Sequence, residues 1–217
     1  MFLVRFVLLF AAALTALSHC EWSSAAPSSA AQERVVFNSD PLSVRDAFLR
    51  VLSRSKAPGG VVLESNCATQ NDGVPIDDAS LSLEESLNRI VKRVPQYRWE
   101  SDGGAINLLP VTGEPEPLRI RIKEFRAHNA TSLELALEQL LALPEVRAHA
   151  TGRLINQGFR FGGLSSPREQ PLRIYSRDTT LREALNSIAR AHGHAVWVYT
   201  ERHCDSQHSI SIDFLVK

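Results

Sequence analysis

Apolar positions along the chain repeat one helical spacing four times. Leu83, Leu87, Ile90 and Val91 stand at i, i+4, i+7 and i+8, one face of a 3.6-period helix. The spacing returns at Val44, Phe48, Val51 and Leu52, at Leu133, Leu137, Leu140 and Leu141, and from Leu181 through Leu185 and Ile188. Each stripe follows a hydroxyl residue with an acid three places on: Ser43 with Asp46, Ser82 with Glu85, Thr131 with Glu134, Thr180 with Glu183. That spacing lets a hydroxyl and a carboxylate satisfy the backbone donors that a first helical turn leaves orphaned. Pro95 and Gly193 stop the second and fourth helices.

Between the helices the period changes to two. Tyr97 and Trp99 alternate with Arg98 and Glu100, and Leu118, Ile120 and Ile122 alternate with Arg119, Arg121 and Lys123. Ile210, Ile212, Phe214 and Val216 alternate with polar neighbours at the end. These are half-buried strands. Val35–Phe37, Val61–Glu64, Val74–Ile76, Ala105–Leu109, Leu172–Tyr175 and Ala195–Thr200 are further strand expectations, and Val146, Ala148 and Ala150 alternate as a strand would. Pro58-Gly59-Gly60 and Asp102-Gly103-Gly104 read as turns.

The stretch from Ser82 to Trp99 recurs without a gap from Thr180 to Trp197, an offset of 98 residues. Leu83, Glu85, Leu87, Asn88, Ile90 and Trp99 match Leu181, Glu183, Leu185, Asn186, Ile188 and Trp197. This is an internal duplication. The predicted fold class is α+β: two tandem small βαβ-βαββ units, each a short mixed sheet with two helices on one face. The units cover residues 34–110 and 118–217, the second with a long insertion at 144–170. The proline-rich segment 111–117 links them.

Composition changes this picture little. The chain has 217 residues, 44% of them hydrophobic and 22% charged, as in ordinary globular proteins. Its 24 basic side chains balance 24 acidic ones, so nucleic acid is not an expected partner of the whole chain. The first residues differ. One cation, Arg5, precedes an apolar run from Phe6 to Leu17, too short for a typical span and right for a signal-peptide core. Residues 1–31 are therefore expected to be a signal peptide and flexible leader. Cleavage would follow Ser24-Ala25-Ala26 or Ser29-Ala30-Ala31, and no integral membrane segment would remain afterwards. Leu17-Ser18-His19-Cys20 resembles a lipoprotein box, with bulky His19 where a small residue belongs. Cys67 and Cys204 would remain in an exported chain, either as one bridge between the units or as two thiols.

Candidate chemistry is sparse. His203, Cys204 and His208 offer three metal ligands and lack a clear fourth. His194 lies about 30 Å from His203 along an extended strand and cannot share their ion. No metal or cofactor is therefore expected. Ser53-Arg54-Ser55-Lys56 has the spacing of a serine-lysine hydrolase motif but falls at a helix end, without companion motifs. Thr131 in Asn129-Ala130-Thr131 reads as a helix cap. No catalytic residue is assigned, and an enzyme is not expected. Arg119, Arg121 and Lys123 give one strand a cationic face suited to an anionic partner.

Residues 34–110 resemble the secretin and TonB N-terminal short domain, and the last half of 118–217 resembles it again. The resemblance rests on Pro41-Leu42-Ser43-Val44-Arg45-Asp46-Ala47-Phe48, on Val61-Val62-Leu63, and on Leu81–Leu87 leading to Tyr97-Arg98-Trp99. It implies a small α/β module in the bacterial envelope or periplasm that docks partner proteins. The barrel that usually follows in that family has no counterpart among these residues. The expected function is thus a non-enzymatic docking module that binds an envelope protein by strand-edge pairing. The alternative is a small secreted enzyme or metal-binding protein using the loop 158–166 and nearby histidines.

Overall fold

The computed structural model describes residues 42–66, 73–74, 81–150, 154–155, 171–204 and 207–216. The described helices are α1 (Val44–Ser55), α2 (Leu83–Arg93), α3 (Leu133–Leu141), α4 (Pro144–Ala150) and α5 (Leu181–His192). The strands are β1 (Gly59–Asn66), β2 (Tyr97–Asp102), β3 (Ala105–Pro110), β4 (Arg121–Ala130), β5 (Leu154–Ile155), β6 (Leu172–Thr180), β7 (Val196–Cys204) and β8 (Gln207–Leu215). The α+β class holds. The leader 1–31, Val35–Phe37, Cys67 and the loop 158–166 lie outside the described residues, as does the side chain of Cys204. The possible Cys67–Cys204 bridge therefore lies outside them too. No described helix is long and apolar enough to cross a membrane.

The helix starts follow the chemistry of their caps. Glu85 N–H donates to Ser82 Oγ while Ser82 N–H donates to Glu85 Oε2, 2.9 Å away. In α5, Glu183 N–H donates to Thr180 Oγ1, and Thr180 N–H donates to Glu183 Oε2 at 2.6 Å. Ser43 caps α1 in the same sense. The α3 cap is a correction: Ser132, not Thr131, accepts from Leu135 N–H. Residues 144–150 are a second correction, being helix and not strand. Pro144 presets the first helical position, Glu145 lies in the first turn, and Arg147 and His149 lie in the last, all favourable to the helix dipole. Val146 is buried while Ala148 is exposed, so the apparent alternation never faced a core.

Glu183 gives this cap a pH signature. Burial pushes its carboxyl up, but hydrogen bonds from the Thr180 backbone and from the Thr179 and Thr180 hydroxyls outweigh that and leave it below the ordinary range. A carboxyl lowered by folding stabilises the fold above its unfolded value, and the gain is lost as pH falls through the folded value. Urea midpoints of wild type and Glu183→Gln are expected to differ most near neutral pH and to converge below about pH 4. Curves that stay parallel through the acid limb would contradict this.

The duplication extends to side-chain contacts. Trp99 Nε1 donates to Asn88 Oδ1 at 2.8 Å, and Trp197 Nε1 donates to Asn186 Oδ1 at 2.8 Å. All four residues are matched pairs of the repeat, so each copy ties its helix to the following strand through the same indole–amide bond. Leu42 bridges Val74 antiparallel in the first copy, and Ala130 pairs with Leu172 in the second. Val74 and Leu172 again stand 98 residues apart.

Each copy forms a three-stranded mixed sheet. The β2–β3 hairpin takes β1 as a parallel neighbour of β3, and the β7–β8 hairpin takes β5 as a parallel neighbour of β8. The two sheets then merge. Eight residue pairs, from Gly59↔Val196 to Asn66↔His203, join β1 to β7 in parallel and give the order β2-β3-β1-β7-β8-β5. One face, with Val61, Leu108, Val196 and Val198, is covered by α1 and α2. The other, with Val62, Leu109, Trp197, Tyr199, Ile210 and Ile212, is covered by α3, α5 and a β4–β6 ribbon. The first copy thus keeps its helices on one side of the common sheet and the second on the other.

The joint explains two glycines. Gly59 and Gly60 were expected in a turn and instead lie in β1. A Cβ on Gly59 would stand 2.0 Å from the carbonyl oxygen of Ile106, and one on Gly60 would stand 1.8 Å from the Trp197 ring. Glycine inside a strand marks such a close approach. Arg182, at the start of α5, ties the copies together a second time: it bonds Glu100 on β2, and its Nε lies 3.1 Å from Glu114 Oε1.

Candidate functional site

Two polar surfaces stand out against this scaffold. The first is the ribbon. β4 pairs only with β6, antiparallel, so neither outer edge of the ribbon meets another described strand. The pattern-based expectation placed Arg119, Arg121 and Lys123 together on one strand. Arg121 and Lys123 are on β4 and exposed. Arg119 is not on the strand. It closes a short 3-10 turn, Glu116–Arg119, whose Pro117 and Leu118 are buried. Pro115 and Pro117 pack inward, so the chain reaches β4 along a fixed path and becomes extended only at Arg121.

The ribbon's alternation breaks twice, at Lys123 opposite Asp178 and again between Ala127 and Ala130, where the register shifts. Ile122 pairs with Thr179 and Glu124 with Arg177, while Asp178 adopts φ 50°. The kink turns Ile122 and Phe125 to the core although they are an odd number of residues apart. It also brings further cations to the outer surface. Arg126, Arg173 and Arg177 are exposed beside Arg121 and Lys123, against the acids Glu124 and Asp178. Glu124 pairs with Arg126, and Arg177 with Asp178 at 3.6 Å. The Arg126 guanidinium lies 5.1 Å from the ring centre of Tyr175, which is 56% exposed. Sequence reading missed Arg126 because a strict period of two does not carry past Lys123, and missed Arg173, Tyr175 and Arg177 because only the pairing of β6 with β4 brings them to this surface.

The second surface is at the far end of the β7–β8 hairpin. Glu201 is buried, and its Oε2 accepts from Tyr199 Oη at 2.8 Å. Its Oε1 lies 2.5 Å from His208 Nε2 and 3.5 Å from His203 Nε2. His203 and His208 are cross-strand partners with rings stacked 4.4 Å apart. One ligand atom from each of the three residues can be chosen so that all lie within 4.8 Å of one another. Glu64, the β1 partner of Glu201, sits alongside. Burial pushes its carboxyl up, the Glu201 charge adds to this, and His203 opposes it. The histidines were legible in the sequence; Glu201 was not weighed. The readable signal was its place two residues before His203, which puts both on one face of a strand. His192 and His194 form their own edge-to-face pair.

Searches of known protein families, curated proteins and solved structures found no match to this chain.

Proposed function

We propose that this chain is an exported, non-enzymatic docking module of the bacterial cell envelope. Its contact surface is the β4–β6 ribbon, and its partner offers an acidic extended segment. The observation that carries the reading is the ribbon's outer face: five cations against two acids, around an exposed tyrosine, on a strand pair whose outer edges meet no other described strand. An open edge offers unpaired backbone donors and acceptors to an added strand, and cationic side chains keep copies of the chain from pairing with each other. The apolar core after Arg5 supports export, and the resemblance to secretin and TonB N-terminal short domains supports docking. The internal joint adds a precedent, since β1 and β7 already pair strand to strand between copies of the repeat.

A photo-crosslinker at position 175 is expected to capture one envelope protein. The Arg126→Glu/Arg177→Glu variant should fold normally, since both side chains are exposed, and should lose at least about tenfold in affinity for that protein. Association should slow as salt rises, because steering between exposed charges is screened within about 10 Å at 0.1 M salt. Unchanged affinity in the double variant would remove the ribbon as the docking surface.

A further inference from the structure

We infer that Glu201, His203 and His208 form a binding site for one divalent transition-metal cation, of the class that includes Zn2+. Two imidazoles and a carboxylate are a donor set this class accepts, leaving a fourth position for water or another ligand. The inference stands apart from the docking proposal, since it uses a different strand pair, β7–β8.

The geometry is built for this. Zn–N and Zn–O bonds of about 2.0–2.1 Å in a tetrahedral site place neighbouring ligand atoms about 3.3 Å apart. His203 Nε2 and Glu201 Oε1 are 3.5 Å apart. His208 Nε2 and Glu201 Oε1, at 2.5 Å, are in direct contact and would part by about 0.8 Å to admit an ion. Both Nε2 atoms lie within 3.5 Å of the same carboxylate oxygen, and a small swing of the stacked rings would turn both in-plane lone pairs onto one ion. The other oxygen of Glu201 is held by the Tyr199 hydroxyl, and Tyr199 is itself fully buried. A ligating carboxylate is commonly fixed in this way by an outer partner that does not touch the metal. Glu64, the β1 partner of Glu201, places a second carboxyl group next to the site.

A simple ion pair between Glu201 and His208 would account for one contact. It does not account for the second imidazole stacked on the first, or for a carboxylate anchored from below by a buried hydroxyl. Because β1 brings Glu64 from the first repeat and β7–β8 bring the ligands from the second, a bound cation would sit at the joint and add to its stability.

Titration of the full exported chain with Zn2+ tests the inference, followed by calorimetry and by thermal melting. One Zn2+ per chain is expected, with a melting temperature that rises with added zinc because the ion binds the folded state. His203→Gln and His208→Gln should each weaken zinc binding by more than about 100-fold, and Tyr199→Phe, which touches no ligand atom of the metal, by about 10–100-fold. His194→Gln, at an exposed position outside the cluster, should bind as wild type does. Because His203 is half exposed, its variant should fold without zinc, so a loss of binding there is not a loss of structure. Failure to bind zinc stoichiometrically, or binding that His208→Gln leaves intact, overturns the inference. Binding lost in His194→Gln would assign the metal to another site and overturn it equally.

Discussion

Replacing Trp197 by alanine is expected to cost about 3–5 kcal/mol, the range for deleting a large aromatic side chain from a core. Trp197 is fully buried, and Asn186, which accepts its indole N–H, is fully buried too. Alanine therefore leaves a cavity and an unpaired amide oxygen, and the second effect alone is worth about 1–3 kcal/mol when no water reaches it. Against a total stability of about 5–15 kcal/mol for a small protein, this is close to unfolding. Trp99 offers the internal control. It occupies the matching position and makes the matching bond to Asn88, but it is only half buried and Asn88 is exposed. Trp99→Ala should cost roughly half as much, in line with the smaller apolar area removed from water. Urea denaturation of both variants decides the ranking. Equal midpoint shifts would mean that the two copies are equally buried and that the merged sheet is wrong.

That asymmetry was not legible in the sequence, although the repeat was. A duplicated Asn and Trp at a constant offset predicts an equivalent bond in each copy, and each copy makes it. Burial depends on what covers each copy from outside. The ribbon and α3 close over Trp197, whereas Trp99 lies at the border of the α1–α2 layer. Both coverings depend on contacts distant in sequence, which periodicity does not encode. Local signals fared best where the physics is local. Both capping boxes and the glycine stop of α5 stand where the spacing placed them. Thr131 lost to Ser132 because two adjacent hydroxyls compete for one cap, and only backbone geometry chooses between them.

The candidate surfaces were half readable for a related reason. Arg121 and Lys123 could be read from alternation because β4 is regular as far as Lys123, before its first break. Arg126 and Tyr175 meet only across the ribbon, where they stand directly opposite each other and so share a face. His203 and His208 stand out by residue type, but Glu201 becomes their partner only when β7 and β8 pair in the observed register. Register is set by turn geometry and by the buried face together, and a list of side chains contains neither.

The joint between the copies makes the last strong prediction. Gly60→Ala adds one methyl group, yet it should destabilise the chain by about 3 kcal/mol, at the top of the range for overpacking a core. The added Cβ would fall 1.8 Å from indole Cε2 of Trp197, well inside contact distance. The ring has nowhere to go, since it is fully buried and its N–H is bonded to Asn186. Alanine also narrows the unfolded ensemble, which would stabilise by about 0.4–1 kcal/mol if the site were open. The sign of the measured change therefore shows whether the ring is there. A double-mutant cycle with Trp197→Leu sharpens the test. If Gly60 in the first copy packs on Trp197 in the second, the smaller leucine relieves the clash. The double variant should then be more stable than the sum of the single changes predicts, by about 0.5–3 kcal/mol. Strict additivity would mean that β1 and β7 are not neighbours, and the single six-stranded sheet would have to be abandoned.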